Sequence, residues 1–388
     1  MCFFDNSSNL ILNSKRQLKL YLMTKILLVS PLPPPIGGIA TWTKDILNYF
    51  ENHNNFQLLH FNSAIQKRRI TQISKQKRLI VGFLGLRNIP LIIELVKKHN
   101  VSVVHHTSSA SFGLIRDYLL LRKLRRLDVK IIVHFHFGRI PQLVKQNNWE
   151  WKLICLVINK TDKVIVIDVK SYETLVNKGF KNIEYLPNPI AESIKKQELD
   201  KNVPFSERCK GSVLYVGHVV KSKGVIELVT ACTEIESITS LILIGPFESE
   251  IKHLLQIIAS KRDKGKWLNL MGLQTHQMVL EEMRKCSVFV LPSYSEGFPF
   301  VILESMAMGC PIVATSVGAI EDMLNINSNE PAGVCVKHKN VFELKYAIQL
   351  LLGNNIMAEQ MGLLAKRRVL KEYTIEAIGR KMIDIWIK

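Results

Sequence analysis

The sequence predicts an α/β protein built from two doubly wound, Rossmann-like domains. Three observations lead to this expectation. Short β-branched runs recur along the chain with helix-length stretches between them, the pattern of parallel strands covered on both faces. The chain has 388 residues, too many for one ordinary core and suited to two. Near its middle, Leu186-Pro187-Asn188-Pro189-Ile190 places two prolines close together, which stiffens a connection and excludes regular helix.

The strand-like runs of the first half are 25–30, 56–61, 101–105, 130–135 and 163–167. Those of the second half are 213–216, 241–244, 268–271, 288–291 and 312–314, after a polar stretch at 192–210. This divides the chain into a first domain at 23–190 and a second at 191–371. Residues 372–388 are expected to form a final helix that packs back on the first domain. Asp5, Lys15, Arg16 and Lys19 interrupt any signal-like apolar core, and the first strand-like run begins only at Lys25, just after Met23, so residues 1–22 read as a loose extension or as an upstream start that is not the real one. In open parallel sheets, ligands sit beyond the carboxyl ends of the strands. The loops directly after strands are therefore the informative ones, and with two such domains the expected site is the cleft between them.

Composition narrows the function classes. Hydrophobic residues make up 47% and charged residues 22%, a globular balance that excludes wholesale disorder. The 7 cysteines are scattered without a C-x-x-C pair. That points to neither a zinc site nor a disulfide framework, and fits a reducing compartment. No apolar run approaches the ~20 residues of a membrane-spanning helix. The net charge of +19 and pI near 9.6 imply an anionic partner. Lys67, Arg68, Arg69, Lys75, Lys77 and Arg78 run directly into the apolar segment 79–86, and Arg122, Lys123, Arg125 and Arg126 form a second cluster. Basic residues beside apolar ones suit an anionic membrane surface. No aromatic RNA-binding signature accompanies the charge, so nucleic acid is not expected.

Three strand-end stretches carry chemistry. The first, Pro33-Pro34-Pro35-Ile36-Gly37-Gly38-Ile39-Ala40, follows the first strand. Its glycines let backbone approach a ligand, and a helix expected near Thr41 would offer free N–H groups to an anion. It is not the G-x-G-x-x-G fingerprint, which weighs against a nicotinamide-dependent oxidoreductase. The second, Val216-Gly217-His218-Val219-Val220-Lys221-Ser222-Lys223-Gly224, opens the second half. Lys223 can pair with a diphosphate as a point charge, and His218 can donate to phosphate.

The third stretch runs from Ser293 to Thr315 and is the most specific. A strand ends in a polar loop holding Glu296, Gly297 and Phe298. Pro299 suits the first turn of a helix of about three turns, and Gly309 can end that helix. Backbone amides around Gly297 and Phe298 offer a pocket for sugar or phosphate. Glu304 lies on the helix, one turn beyond Phe300, and a carboxylate is a good acceptor for two adjacent ribose hydroxyls.

Glu296-Gly-Phe-Pro followed by Leu303-Glu304-Ser-Met-Ala-Met-Gly-Cys-Pro-Ile-Val resembles the E-x7-E signature of retaining glycosyltransferases of the GT-B fold, within the "glycosyl transferases group 1" (family 4) set. Val317-Gly318-Ala319-Ile320-Glu321-Asp322 is similar to that family's V-G-G-I-P-E turn. Leu186-Pro187-Asn188-Pro189 resembles its interdomain stretch, and Tyr373-Thr374-Ile375-Glu376 the start of its final helix. The resemblance covers the chain from about Lys25 and is strongest in the second half.

The resemblance implies that Gly37 and Gly38 face the reacting phosphate and sugar. It implies that Lys223 neutralises the departing diphosphate. Glu296 with the Gly297–Phe298 backbone would hold the donor sugar, and Glu304 would grip the ribose. His136, just after the run 130–135, resembles the family's histidine near donor and acceptor, with His134 a rival for that role. His218 stands where the family usually has arginine, Ala319 where it has glycine and Glu321 where it has proline. The implied enzyme transfers a sugar with retention from a UDP- or GDP-sugar to a glycan or lipid-linked acceptor in cell-surface polysaccharide biosynthesis. It would need no cofactor and no metal and would work at the cytoplasmic face of the plasma membrane. The alternative is a donor-binding protein whose catalysis has decayed.

Overall fold

The computed structural model describes residues 24–34, 37–51, 53, 56–64, 85–109, 111–191, 194 and 203–388. The 1–22 extension, Pro35, Ile36, and the basic stretch 67–78 with its apolar continuation to residue 84 lie outside the described residues. The chain divides into two compact units. Unit 1 gathers residues up to Ile167, Ser171–Leu186 and Ile378–Lys388. Unit 2 takes Asp168–Lys170 and Pro187–Ala377.

Unit 1 holds a six-stranded sheet in the order β2-β1-β3-β4-β5-β6. Its strands are β1 (Lys25–Ser30), β2 (Gln57–Asn62), β3 (Val103–Ser108), β4 (Lys130–Phe135), β5 (Lys163–Val166) and β6 (Ile183–Tyr185). All pairings are parallel, and Leu27 of β1 sits between Leu59 of β2 and Val104 of β3. Every residue of β3 is buried, His105, His106, Thr107 and Ser108 included, so only its start reads as an apolar run. The helices are α1 (Gly38–Phe50), α2 (Asn88–His99), α3 (Gly113–Leu124), α4 (Ile140–Gln146), α5 (Trp149–Ile158) and α6 (Val169–Asn177). α1 starts at Gly38, three residues before the expected Thr41, because Gly37 already adopts the extended backbone of an N-cap.

Unit 2 repeats the plan in the order β12-β11-β10-β7-β8-β9. Its strands are β7 (Cys209–Val216), β8 (Ser240–Ile244), β9 (Leu268–Gly272), β10 (Cys286–Leu291), β11 (Ile312–Thr315) and β12 (Val334–Val336). The helices are α7 (Val225–Thr233), α8 (Ser249–Ala259), α9 (His276–Lys285), α10 (Phe300–Ala307), α11 (Ile320–Met323), α12 (Val341–Gly353) and α13 (Asn355–Glu372). Asparagine and threonine side chains start several of them: Thr275 accepts from Met278 N–H, Asn340 from Glu343 N–H and Asn354 from Met357 N–H. Such caps are worth ~0.5–2 kcal/mol each.

A last helix, α14 (Ile375–Ile387), supplies residues 378–388 to unit 1. Ile378, Met382, Ile385 and Trp386 are buried, spaced as one helical stripe. The Trp386 ring meets Phe50 at 5.0 Å and Phe56 at 5.4 Å. Its Nε1–H donates to His105 Nδ1 at 2.9 Å. Among the described residues, no helix is long and apolar enough to cross a membrane.

Candidate active site

In unit 2 the chain runs from β7 through β8 and β9 to one side, then through β10, β11 and β12 to the other. The strand order therefore reverses between β7 and β10, and loops leaving this point open a crevice at the strand ends. Two of the expected residues stand on those two loops. Lys223 ends the short turn 221–223 after β7, and Glu296 lies in the loop after β10. Lys223 Nζ donates to Glu296 Oε1 at 2.6 Å, with the side chains 30% and 13% exposed.

Several contacts bring the loops into place. Gly224 has φ +70°, and a Cβ there would fall on the Pro292 carbonyl. Tyr294 N–H donates to the Ser222 carbonyl at 3.0 Å. The Tyr294 hydroxyl donates to Glu227 Oε1 of α7 at 2.5 Å. Burial and that carboxylate push the tyrosine up to about 12, so it remains a donor at neutral pH. From the other side, Ala319 N–H donates to the Gly297 carbonyl at 2.9 Å. Gly318 has φ +59°, and a Cβ there would fall on the Glu296 and Gly297 carbonyls. Glycine is thus required where the 316–319 turn touches the glutamate loop.

The helix after Glu296 corrects two expectations. Pro299 is the cap residue, with the helix beginning at Phe300, and α10 has 8 residues, roughly two turns rather than three. Gly309 follows in the left-handed conformation, φ +63°, and ends it. Phe298 is buried, its ring 5.8 Å from Tyr373. It anchors the loop through packing, so only its backbone is placed to meet a ligand. Glu304 on α10 accepts from His276 Nε2 at 2.9 Å, where His276 is the first residue of α9. His218 is exposed after β7, and its carbonyl accepts from the Tyr215 hydroxyl at 2.8 Å.

Gly37, Gly38 and His136 belong to unit 1. Its strand order reverses between β1 and β3, and the Gly37-Gly38 turn follows β1. The exposed Gly37 carbonyl accepts from Thr41 N–H at 2.9 Å and starts α1. One turn later, the buried Trp42 ring lies 4.7 Å from His136 and 5.1 Å from His134. The two imidazoles are 3.9 Å apart, and His105 is 5.4 Å from His134. His134 is fully buried on β4 with neither ring nitrogen bonded to a protein group. His136 is half-buried beyond the strand end. Burial, with His106 nearby, holds His105 down at about 3. Burial, with His105 nearby, does the same for His136. The imidazoles are neutral at pH 7, so a group bound beside His136 would meet a hydrogen-bonding ring rather than a charge.

The sequence reading missed Tyr294, Glu227, His276 and Trp42. Tyr294 adjoins the glutamate motif, and that adjacency was the available signal. Nothing in the spacing ties His276 to Glu304, because their contact is made only when α9 packs beside α10.

Comparisons with known proteins agree with this geometry. Residues 196–368 match the family model described as glycosyl transferases group 1, and residues 36–193 match that of glycosyltransferase family 4. The N,N'-diacetylbacillosaminyl-diphospho-undecaprenol alpha-1,3-N-acetylgalactosaminyltransferase of Campylobacter jejuni is 32% identical over 293 residues, covering 70% of this chain and 73% of that protein. The capsular polysaccharide biosynthesis glycosyltransferase CapM of Staphylococcus aureus is 25% identical over 346 residues, covering 82% and 84%. Anabaena HepE, solved in complex with UDP, superposes with a TM-score of 0.67 at 14% identity, over 93% of this chain and 99% of that one. With both halves matched in turn and two six-stranded parallel sheets of the GT-B type, the chain belongs to the group 1 glycosyltransferases.

Proposed function

We propose that this glycosyltransferase is retaining and nucleotide-sugar dependent. In this reading it transfers a hexose-type sugar from a UDP- or GDP-sugar to a glycan on a lipid-linked carrier, in cell-surface polysaccharide assembly at the cytoplasmic face of the membrane. The Lys223–Glu296 pair at the reversal point of the second sheet carries the reading. It sets one cation and one hydroxyl-binding carboxylate side by side at a strand-end crevice. The relatives' names support the rest: one acts on a diphospho-undecaprenol-linked sugar and one serves capsular polysaccharide, and UDP is bound by HepE.

In the proposed reaction an acceptor hydroxyl bonds to the anomeric carbon as the bond from that carbon to the phosphate oxygen breaks. The electron pair leaves with the nucleoside diphosphate, which takes up the acceptor's proton. Stabilising that departing charge is the main electrostatic task. Lys223 meets it as a point charge, and the start of α1 at the Gly37-Gly38 turn carries free N–H groups of the kind that suit an anion. Glu296, released from Lys223, accepts from the donor sugar's hydroxyls. Glu304 accepts from the ribose, and neutral His136 donates to sugar or acceptor. The Gly297-Phe298-Pro299 backbone lines the pocket, and His218 reaches the diphosphate. No metal is assigned a role.

The test is a thermal-shift series with UDP, GDP, ADP and their sugar conjugates, with and without EDTA, on the native protein and on Lys223→Ala. A ligand that binds only the folded state raises its stability by mass action. One nucleotide should shift the native protein, EDTA should leave the shift unchanged, and Lys223→Ala should reduce it. Silence from every nucleotide would return the chain to the alternative of a decayed donor site.

A further inference from the structure

We infer that the N-terminal ends of α3 and α5 form a membrane-docking face for an anionic lipid surface, centred on the stacked rings of Phe112 and Trp149. These rings lie 5.2 Å apart and inclined by 27°, yet they are 42% and 48% exposed. Large aromatics that stack normally do so inside a core. Here a pair is held outside one.

The reason lies in the residues beside them. Glu150, adjacent to Trp149, is buried and accepts from Ser111 N–H, adjacent to Phe112, at 2.6 Å. Arg139 closes the brace, with Nη2 donating to Glu150 Oε1 at 2.6 Å and to Ser111 Oγ at 2.8 Å. Asn148 caps α5 by accepting from Trp151 N–H at 3.0 Å. A buried carboxylate thus pins two helix starts together, and the residue next to each pinned position is turned outward.

The apolar surface continues along both helices. Ile115, one turn after Phe112, and Leu156, two turns after Trp149, are also exposed. Lys152 and Arg122 follow on the same faces and are exposed. The carboxylates of these segments are largely engaged: Asp117 is buried against His106 and Arg116, Glu150 is in the brace, and Asp162 pairs with Arg125. Asp128, beyond the end of α3, stays exposed. A wide-ring aromatic pair flanked by aliphatic side chains and unpaired cations matches a lipid headgroup boundary, where rings enter the acyl edge and cations meet phosphates. An RNA partner would use the charge but leave the aliphatic side chains without a counterpart.

The use of such a face rests on the reading of a lipid-linked acceptor, but its test is separate. Purified protein is sedimented with phosphatidylglycerol–phosphatidylcholine vesicles and with pure phosphatidylcholine vesicles. The native protein should partition onto the anionic vesicles and be released by raising salt to about 0.5 M. Phe112→Ala/Trp149→Ala should weaken partition by at least about tenfold while keeping the nucleotide thermal shift. Arg122→Glu/Lys152→Glu guards against misfolding of the first variant, and should weaken binding to anionic vesicles alone. Full vesicle binding by both variants, or none by the native protein, overturns the assignment. So does a dimer in vesicle-free solution that the aromatic variant dissociates, since the face would then join two copies. Absence of any nucleotide shift, with vesicle binding intact, counts instead against the transferase reading.

Discussion

Lys223 Nζ and Glu296 Oε1 stand 2.6 Å apart, each on the loop that leaves one of the two central strands of the second sheet. In this arrangement each masks the charge the other would offer a ligand. Under the proposed function, a diphosphate that drew Lys223 away would free Glu296 for sugar hydroxyls, so one binding event would prepare both groups. Glu296→Ala is therefore expected to lower kcat/KM by roughly 10²–10³-fold. Its Tm should stay within about 2 °C of the native value. Near-normal turnover would remove Glu296 from the site.

Gly318→Ala should disturb the same loop from behind. The new Cβ would meet the Glu296 and Gly297 carbonyls, and φ is +59°. Strain of this kind costs on the order of 1–3 kcal/mol. The expected result is a lower Tm together with a raised donor KM. An alanine variant with native KM would show that the turn can give way without moving Glu296.

Stability should fall in acid through the unit 1 histidines. His105 and His136 are held near 3 by burial, against 6.5 in an unfolded chain. Between these values the unfolded state binds protons that the folded state refuses. The stabilisation is complete above pH 6.5 and is lost as pH drops toward 3, with a slope approaching ~1.4 kcal/mol per pH unit for each histidine. Urea unfolding at several pH values checks this. His105→Gln offers the Trp386 indole another acceptor without a titrating ring, and should flatten the slope. An unchanged slope would place the acid sensitivity elsewhere.

Trp386→Ala removes a fully buried indole packed on Phe50, Phe56 and His105. The expected loss is ~3–5 kcal/mol, read as a lower melting transition and faster proteolysis within unit 1. Trp386→Phe keeps most of the packing, leaves His105 Nδ1 without its donor, and should fall between.

Much of the fold was legible because the central strands are buried on both faces. Lys25–Ser30 and Lys130–Phe135 were placed to the residue. β6 and β12 were missed: each is a three-residue edge strand, too short for an apolar run to stand out from its surroundings. β7 begins at Cys209 rather than at 213, since its first residues are polar and pair only at the margin. Glu296 and Lys223 were singled out from local motifs. Their contact was not, because it depends on which strands are neighbours. The brace under Phe112 and Trp149 escaped for the same reason: Ser111, Arg139 and Glu150 are distant in sequence and unremarkable singly.

Unit 1 is assembled from pieces that lie on either side of unit 2 in the chain. A ribosome makes residues 187–377 before it makes 378–388. The hydrophobic floor on which Phe50 and Phe56 rest must therefore wait, uncovered, while an entire second sheet is translated. Every residue of unit 2 is made before Trp386, so the indole that covers Phe50 and Phe56 is among the last parts of unit 1 to be supplied.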